Sequence, residues 1–338
     1  VYNPEAVCEL YDCIMVGDGE EVIVEVACCI RDMRAANAPR ADILAALAQI
    51  PGVYVPLLYR AEEDSFGRTH VVPVEGSGAP EKVLKRVVAD FKALDPVNTT
   101  LVPYPQVVQD RLAVEVLRGC ARGCRFCQAG MTYRPVRERP ADQIVAAVMR
   151  GLACTGYDQV SLTSLSTTDH SNLEDVLRRL NANLSGKGIS VSLPSERLDS
   201  FGVEMAKLVA GEKKGGLTFA PEAGTQRMRD VINKGVTEDD LMNAVSASFS
   251  QGWLRMKLYF MIGLPTETDE DVLGIAELCR RALELARASV PPSKRCAVRI
   301  GTSVAVFIPK AQTAFQWCGQ TPPEEVRRRQ KLLADAVP

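Results

Sequence analysis

The amino-acid sequence predicts an α/β fold in which parallel strands alternate with helices. Six short β-rich runs recur after residue 105, and their starts are 47, 30, 28, 39 and 47 residues apart. Apolar positions with a helical period lie between these runs, and 46% apolar with 24% charged residues is the usual balance of a globular chain. Strand followed by helix, repeated in this way, indicates right-handed crossovers between parallel strands. A doubly wound sheet and a partial barrel, two units short of the eight-fold form, both have this pattern.

The first 105 residues are less regular. A strand is predicted over residues 12–16, followed by a helix that ends near Met33, and a second helix is predicted over residues 41–49. Residues 53–105 are rich in Val, Pro and Gly, which indicates irregular β structure and linker. We therefore divide the chain into residues 1–40, residues 41–105 and residues 106–338.

The six strands of the larger part and their helices can be placed individually. The strands are predicted at residues 112–117, 159–162, 189–193, 217–219, 256–261 and 303–307. Gly156 predicts a helix end, because glycine readily adopts the left-handed conformation of a C-cap. Three helix starts have a Ser or Thr followed three residues later by an acidic residue, the pattern of a capping box. These pairs are Ser171 with Glu174, Thr237 with Asp240, and Thr268 with Asp271.

Composition excludes several classes of protein. No run of about 18 or more apolar residues occurs, so we expect no membrane-spanning helix. A net charge of −2 argues against electrostatic nucleic-acid binding by the whole chain, but it does not exclude binding through a local basic patch. Eleven cysteines, an odd number, occur without a signal-peptide pattern, which is typical of the reducing cytoplasm. The chain begins with Val1, and we expect it to be a fragment of a longer protein.

A group of three cysteines follows the first strand of the larger part. Cys120, Cys124 and Cys127 are separated by four and three residues, and Gly119 and Gly123 allow tight backbone turns between them. Three thiolates so spaced can bind three irons of one cubane cluster and leave the fourth iron to a ligand that is not protein. A structural zinc site is the alternative, but it needs a fourth protein ligand, and none follows at a matching spacing.

The cysteine segment resembles the signature of the radical SAM superfamily, Cys-x3-Cys-x-aromatic-Cys, with Phe126 at the aromatic position. The resemblance implies a partial (β/α)6 barrel of the TIM type, here preceded by a smaller α/β remnant. It also implies a 4Fe–4S cluster whose fourth iron is chelated by S-adenosylmethionine (SAM), which the reduced cluster cleaves to methionine and a 5′-deoxyadenosyl radical. A flavodoxin- or ferredoxin-type electron donor is the expected partner. The substrate is not identified by the resemblance, and RNA and protein are both candidates.

Two further segments resemble members of that superfamily that are methylthiotransferase-like or coproporphyrinogen-dehydrogenase-like. Residues 221–225 (Pro-Glu-Ala-Gly-Thr), with Lys234 further on, resemble the segment at the fourth strand. This implies that Glu222 contacts the ribose of SAM and that Lys234 lies near its carboxylate. Residues 260–268 resemble the fifth-strand segment whose backbone lies beside adenine, which implies that Gly263 and Pro265 contact the base.

Two other strand ends supply candidates for SAM or substrate contacts. Ser164 and Ser166 stand where many superfamily members have Gly-Gly-Glu, so hydroxyl and backbone groups take the place of a carboxylate. Glu196 follows the third strand and has two interpretations. It is either a hydrogen-bond acceptor for ribose or substrate, or an acidic residue that satisfies N–H groups at a helix start.

The N-terminal part resembles a different domain. Residues 16–21 (Val-Gly-Asp-Gly-Glu-Glu) are similar to the closing strand and turn of a cobalamin-binding domain, so residues 1–40 are interpreted as its C-terminal remnant. The Asp-x-His-x-x-Gly stretch that supplies a cobalt ligand is missing, and neither His70 nor His170 has that context. The fragment therefore does not support cobalamin binding, which stays open for a longer protein. The nearest group by resemblance is the cobalamin-domain-fused radical SAM proteins, on the run at 118–130 and on residues 133–137.

Some residues have both a functional and a structural interpretation. The arginines near the cysteines guide an anionic substrate such as RNA, offset the negative charge of the cluster, or form a solvated surface; they are Arg122, Arg125, Arg134, Arg137 and Arg139. His170 either faces substrate or begins a helix. Cys154 is expected in the core, and Cys318 is expected to be an exposed, reactive thiol. Cobalamin-dependent methyl transfer, methylthiolation of RNA or protein, and a non-catalytic Fe–S or zinc module are the alternatives to radical SAM chemistry on another substrate.

Overall fold

The computed structural model of the chain describes residues 3–94, 101–193, 197–200, 202–210 and 217–337. The chain divides into two compact units, Val1–Phe91 and Lys92–Pro338.

The smaller unit is built on short elements. Its strands are β1 (Ile14–Met15), β2 (Val53–Tyr54), β3 (Tyr59–Glu63) and β4 (Thr69–Pro73), and its helices are α1 (Val22–Ala35) and α2 (Arg40–Leu47). β1 pairs antiparallel with β2, and β3 pairs antiparallel with β4. Val22 and Val26 of α1 pack on Leu44 and Leu47 of α2, with Val53 beneath them. The apolar face of each helix is thus buried within this unit.

The larger unit contains the predicted parallel strands. Its strands are β5 (Leu112–Glu115), β6 (Leu117–Arg118), β7 (Arg137–Glu138), β8 (Gln159–Thr163), β9 (Ser190–Ser192), β10 (Leu217–Glu222), β11 (Arg255–Ile262) and β12 (Arg299–Val306). β5, β8 and β9 form one parallel sheet, and β10, β11 and β12 form another, each in chain order. β6 pairs antiparallel with β7. Parallel strands in chain order, each followed by a helix, confirm the α/β fold and agree with the wall of a partial barrel.

The helices cover these sheets. They are α3 (Gln128–Thr132), α4 (Ala141–Thr155), α5 (Leu173–Leu184), α6 (Val203–Ala210), α7 (Gln226–Val231), α8 (Glu238–Ser250), α9 (Asp269–Ala288) and α10 (Pro323–Ala336). Buried side chains of the strands, such as Leu162 and Leu258, share one core with those of the helices, such as Val148 and Leu177. α4 can pack close to β5 because Gly151 of α4 has no side chain. A Cβ atom at Gly151 would lie 2.6 Å from Cδ2 of Leu112 in β5.

Two of the three predicted capping boxes are present. Thr237 with Asp240 caps α8, and Thr268 with Asp271 caps α9. Gly156 ends α4 in the left-handed conformation, as predicted.

The third predicted capping box is wrong. α5 begins after Asn172, and Ser171 binds Glu138 instead, through its N–H (3.1 Å) and its hydroxyl (2.5 Å). Glu174 accepts from Arg178 at 2.9 Å. A carboxylate 33 residues away along the chain thus replaces the local cap.

Within the described part of the chain, no helix combines the length and apolarity that crossing a bilayer requires.

Candidate functional site

The three cysteines lie on a loop, residues 119–127, that follows β6 and leads into α3. Sites in α/β folds form at the carboxyl ends of the strands, and the loop leaves the first parallel strand at that end. Gly119 begins the loop with a left-handed φ of 91°. A Cβ atom there would lie 2.5 Å from the carbonyl oxygen of Tyr133 and 2.8 Å from that of Pro135. Only glycine lets the backbone turn at this point without displacing its neighbours.

Hydrogen bonds join this segment, the cysteine loop, to two other segments. The N–H of Arg125 donates to the carbonyl oxygen of Ile232 (2.9 Å), and the N–H of Phe315 donates to the carbonyl oxygen of Arg125 (3.2 Å). Asn233 donates from Nδ2 to the carbonyl oxygen of Gly123 (3.0 Å). Ile232 and Asn233 come after β10 and α7, and Phe315 comes after β12. The loop is therefore held against segments that follow two other parallel strands.

The thiols of Cys120, Cys124 and Cys127 are free and half-buried. The N–H of Cys127 donates to the carbonyl oxygen of Cys124 (3.1 Å), and its Sγ caps α3 by accepting from the N–H of Gly130 (3.4 Å). Burial raises the pKa of the Cys124 thiol, and the positive charge of Lys234 acts in the opposite direction. A nearby cation favours the thiolate, which is the form that binds metal.

The donor set fits an iron–sulfur cluster. Each thiolate of a cubane binds a different iron, so three cysteines on one loop occupy three corners. In the part of the chain that the structure describes, no three His, Cys, Asp or Glu side chains converge as the ligands of a single metal ion do. Lys234 and Arg197 both act on Cys124 as positive charges, and such charges offset the negative charge of a thiolate-bound cluster.

Phe126, between the second and third cysteines, packs into a small apolar cluster. This cluster contains Ala223, Met228, Ile232, Leu264, Phe307 and Phe315. Ala223 follows β10, Leu264 follows β11 and Phe307 follows β12. The aromatic residue of the signature thus connects the cysteine loop to the ends of three strands.

Glu222 and Lys234 form an ion pair. Glu222 ends β10, where the pairing with β11 is irregular, and has a left-handed φ of 70°. Lys234 donates from Nζ to Oε1 of Glu222 at 3.1 Å, and the two side chains are only 14% and 16% exposed. Burial raises the pKa of the Glu222 carboxyl, and Lys234 opposes that shift. The two residues that the sequence assigns to ribose and to carboxylate are therefore direct neighbours.

Gly263 and Pro265 lie on the turn after β11. Gly263 has a φ of 79°, and its N–H donates to Oε2 of Glu267 at 2.6 Å. Its carbonyl oxygen accepts from the hydroxyl of Thr321 at 3.1 Å. Leu264 is buried in the apolar cluster with Phe126, and Pro265 is half-buried. The turn and the cysteine loop are therefore joined through that cluster.

Ser164 and Ser166 follow β8, and both already have partners. The Ser164 hydroxyl bonds to that of Thr167 (2.8 Å) and accepts from the N–H of Ser166 (3.1 Å). Ser166 donates to Oδ2 of Asp169 at 2.7 Å. Glu196, the other strand-end candidate, lies outside the described residues.

Asp169 is a residue of this region that the sequence interpretation missed. It forms an ion pair with Arg122 of the cysteine loop, whose Nε donates to Oδ2 at 2.9 Å. Burial raises the pKa of Asp169, but hydrogen bonds from Arg122 and Ser166 outweigh this, so the net shift is downward. A cavity of about 460 Å³ opens here; it is lined by Leu117, Gly119, Cys120, Ala121, Arg122, Val136, Ser166 and Asp169. The sequence Ser-Thr-Thr-Asp after a strand end was the available signal.

The arginines near the cysteines neutralise carboxylates and bind backbone carbonyls. Arg139 is 4% exposed and donates to the carbonyl oxygens of Glu115 (3.1 Å) and Leu94 (2.6 Å). Arg125 donates from Nη1 to the carbonyl oxygen of Val231 at 2.5 Å. These contacts give a structural role that none of the three sequence interpretations (a guide for an anionic substrate, an offset for the negative cluster, a solvated surface) contained.

Two further predictions are corrected. Cys154 is exposed, because it lies on the outer side of α4, and is not part of the core. Cys318 is half-buried against the apolar cluster of Phe126 and is not an exposed thiol.

Of the two interpretations of His170, the structure supports the helix start. His170 is buried just before α5, and its Nδ1 accepts from the N–H of Asn172 (3.1 Å). Its Nε2 lies 2.9 Å from the carbonyl oxygen of Arg139. Nε2 therefore carries the proton, and the ring links the start of α5 to Arg139.

Curated proteins with a related sequence are found. The uncharacterized protein MJ0966 of Methanocaldococcus jannaschii is 29% identical in an alignment of length 307 that covers 85% of this chain and 64% of that protein. The tRNA-2-methylthio-N(6)-dimethylallyladenosine synthase of Syntrophomonas wolfei is 25% identical in an alignment of length 258 that covers 70% of this chain and 54% of the synthase. The chain thus spans between half and two thirds of the length of these relatives.

Solved structures with a similar fold are also found. The radical S-adenosylmethionine methyltransferase TsrM from Kitasatospora setae, with cobalamin and a [4Fe-4S] cluster bound, superposes with a TM-score of 0.57 at 16% identity, covering 90% of this chain and 55% of TsrM. The cobalamin-dependent S-adenosylmethionine radical enzyme OxsB gives a TM-score of 0.58 at 14% identity, covering 100% of this chain and 48% of OxsB. At these identities the likeness concerns the fold.

Family models match both units of the chain. The model described as radical SAM proteins, N-terminal, matches residues 1–56, and that of the radical SAM superfamily matches residues 114–279. The second match includes the cysteine loop, Glu222, Lys234 and Gly263. Membership implies a 4Fe–4S cluster and SAM as cofactors, which agrees with the donor set of the loop. The segment over residues 114–279, which contains the cysteine loop, belongs to the radical SAM superfamily.

Proposed function

We propose that the protein is a radical SAM enzyme, in which Cys120, Cys124 and Cys127 hold a 4Fe–4S cluster whose remaining iron binds SAM. The observation that carries this proposal is the arrangement of three free thiols on a loop fastened beside Lys234 and Asn233. When bound and reduced, the cluster supplies the electron that cleaves SAM to methionine and a 5′-deoxyadenosyl radical. The substrate of that radical is the part of the reaction that the chain leaves open.

The residues around the loop then have distinct tasks. Lys234 would exchange its contact with Glu222 for the carboxylate of SAM, and Glu222 would accept hydrogen bonds from the ribose hydroxyls. Both groups are largely buried, so each stays out of bulk water in either arrangement. Their ion pair keeps the charged groups satisfied before SAM binds.

Two other segments would supply the remaining contacts. Ser166 and Asp169 line the cavity beside Cys120, and their oxygens would accept from the amino group of SAM in place of the glutamate of other members. The turn at Gly263 and Pro265 would present its backbone to adenine, since a glycine backbone can approach a planar base closely. The apolar residues of the strands would exclude solvent and its solutes, so that the radical is protected from side reactions.

Methylthiolation or cobalamin-dependent methyl transfer, on RNA or protein, is the second candidate. The 25% identity to the tRNA-modifying synthase of Syntrophomonas wolfei favours methylthiolation, and the fold shared with TsrM favours methyl transfer. A longer protein would have to supply the cobalt ligand, since His170 is a structural residue and His70 pairs with Asp64.

The proposed cluster would require a reducing environment and an electron donor. A cluster with an open iron corner is prone to oxidation and loss, so we place the protein in the reducing cytoplasm. A one-electron donor of the flavodoxin or ferredoxin type would supply the reductant.

The test is metal analysis with matched cysteine variants under anaerobic conditions. Single Cys→Ala replacement at each of the three loop positions should abolish cluster absorbance and 5′-deoxyadenosine formation. Cys154→Ala and Cys296→Ala are the controls, because both thiols are exposed and lie outside the loop. An electron paramagnetic resonance signal that SAM perturbs supports the enzyme, whereas one zinc per chain would establish a structural module.

A further inference from the structure

Glu267 is a buried carboxylate that holds the turn after β11. Its side chain is 3% exposed, and Oε2 accepts both the N–H of Gly263 (2.6 Å) and Nη1 of Arg329 (2.5 Å). Burial raises the pKa of Glu267, and the hydrogen bonds from Gly263 and Arg329 oppose that shift. The position of this carboxylate is strongly constrained, because losing either donor would leave a buried negative charge without full compensation.

Arg329 brings the last helix, α10, into this arrangement. Besides Glu267 Oε2, its Nη2 donates to the Glu267 carbonyl oxygen (3.3 Å) and its Nε to Oε1 of Glu325 (2.8 Å). The guanidinium is 14% exposed and spans two carboxylates and a carbonyl, which a lysine ammonium cannot reproduce. One side chain of α10 thus binds both the side chain and the backbone of residue 267.

The segment before α10 holds the other side of the same turn. Thr321 donates its hydroxyl to the carbonyl oxygen of Gly263 at 3.1 Å. Both peptide groups of Gly263 are therefore held by side chains outside β11. The next residue, Leu264, is buried against the cluster that contains Phe126 of the cysteine loop. A shift of this turn would therefore reach the loop as well as the expected adenine contact.

We propose that Glu267 and Arg329 are positioning residues for SAM, which fix the backbone of Gly263 so that the turn can receive adenine. α10 thereby raises the affinity for SAM without touching it. This inference rests on the proposed function, which places adenine beside Gly263 and Pro265. A turn with glycine at positive φ samples many conformations unless its hydrogen bonds are made, and ordering it in advance lowers the entropy lost on binding.

The experiment compares Arg329→Met with Arg328→Met. Arg328 is the adjacent residue of α10, and its replacement also removes ion pairs, but these are with Asp269 and Glu325 and not with Glu267. We expect Arg329→Met to accelerate amide hydrogen exchange at Gly263 at least tenfold in protein without SAM. We also expect about tenfold weaker SAM binding, which corresponds to about 1.4 kcal/mol, at unchanged iron content. Arg328→Met should leave both quantities within about twofold.

Two more variants keep the test decisive if Arg329→Met folds poorly. Glu267→Gln retains the size and one acceptor oxygen but loses the charge pairing, and it should weaken SAM binding in the same direction. Because the two side chains act through one another, Arg329→Met should add less to Glu267→Gln than it does alone. Arg329→Lys should recover only part of the affinity, since an ammonium lacks the fork geometry.

The outcomes separate this inference from the proposed function. Unchanged exchange at Gly263 in Arg329→Met, or faster exchange with unchanged SAM affinity, would overturn the positioning role while wild-type SAM binding still supports the enzyme. Failure of the wild-type protein, with its cluster loaded, to bind SAM would instead overturn the proposed function. Faster exchange together with weaker SAM binding, absent from Arg328→Met, would establish the inference.

Discussion

Glu222 combines two unfavourable features, a left-handed backbone and a largely buried carboxylate. A residue other than glycine at φ 70° stores strain of about 1–3 kcal/mol, and such residues concentrate at ligand sites. The carboxylate is compensated by Lys234 at 3.1 Å, itself largely buried. Neither feature stabilises the strand that Glu222 ends, so we attribute both to the proposed SAM site.

Removing Lys234 should make stability depend more strongly on pH. In Lys234→Met the Glu222 carboxyl loses its cation, so its folded-state pKa rises further above the value of about 4.3 in the unfolded chain. The folded state then binds the proton more tightly than the unfolded state, and the free energy of unfolding falls as the pH rises above that value. We expect a loss of about 3 kcal/mol at pH 7.5 and a smaller loss near pH 5, measured by urea denaturation.

Glu222→Gln combined with Lys234→Met is the control for this prediction. With no ionisable group left at either position, this double variant should lack the pH dependence that the Glu222 carboxyl contributes. A pH dependence of Lys234→Met equal to that of the double variant would contradict the assignment to Glu222.

Gly119 should be required for loading of the cluster. Gly119→Ala places a Cβ 2.5 Å from the carbonyl oxygen of Tyr133, so the cysteine loop must move. Gly186→Ala is the matched control, because Gly186 also has positive φ but no atom lies within 4 Å of its added Cβ. We expect iron content to fall severalfold in Gly119→Ala only, while both variants lose about 1 kcal/mol from the left-handed backbone. Equal iron content in the two variants would show that the contact with Tyr133 is harmless.

The six parallel strands and two of the helix starts in the larger unit were predictable because each has a local cause. The six strand runs have the apolar character of buried strands, and the starts of α8 and α9 carry their own capping boxes. The start of α5 was predicted wrongly because Glu138, on another strand, binds Ser171. Glu138 and Ser171 are 33 residues apart in the sequence, so a pattern of neighbouring residues cannot indicate their contact.

The same distinction applies to the candidate site. The cysteine spacing and Phe126 lie within one short segment, so the sequence alone indicates their joint role. The pairing of Arg122 with Asp169 spans 47 residues and that of Arg329 with Glu267 spans 62, and neither has a periodic or motif signal. Contacts of this kind depend on how the strand ends meet, and the structure is needed to identify them.

The observed helix starts predict different stabilities for two similar substitutions. Asp240→Ala removes the carboxylate that accepts the N–H of Thr237 (2.7 Å), and should lower the free energy of unfolding by about 1 kcal/mol. Glu174→Ala removes only a surface pair with Arg178, worth about 0.3–0.5 kcal/mol. Urea denaturation of the two variants would measure the difference. A larger effect at Glu174 would restore the capping box that the sequence suggested for α5.

At the scale of the molecule, the residues assigned to the cluster and SAM belong to one of the two compact units. The cysteine loop, Glu222, Lys234 and Gly263 all lie in Lys92–Pro338. That unit has a core of its own, in which strands and helices from Leu112 to Leu333 pack together, whereas Val22, Val26, Leu44, Leu47, Ala48, Val53 and Val55 form a separate core. A core of this extent is large enough to sustain an independently folding domain.

We therefore expect residues 92–338, expressed alone and reconstituted anaerobically, to bind about as much iron per chain as the full chain, and SAM with an affinity within about threefold. The physical reason is that every proposed ligand lies within this range, as do the arginines that hold the cysteine loop. Arg139 donates to the carbonyl oxygen of Leu94, near the first residue of the fragment. Circular dichroism would confirm that the fragment is folded, and Cys120→Ala in the same fragment is the control for non-specific iron. A folded fragment that takes up no iron, while the full chain does, would show that residues 1–91 contribute to the site, and the smaller unit would then have to be counted among the elements that build it.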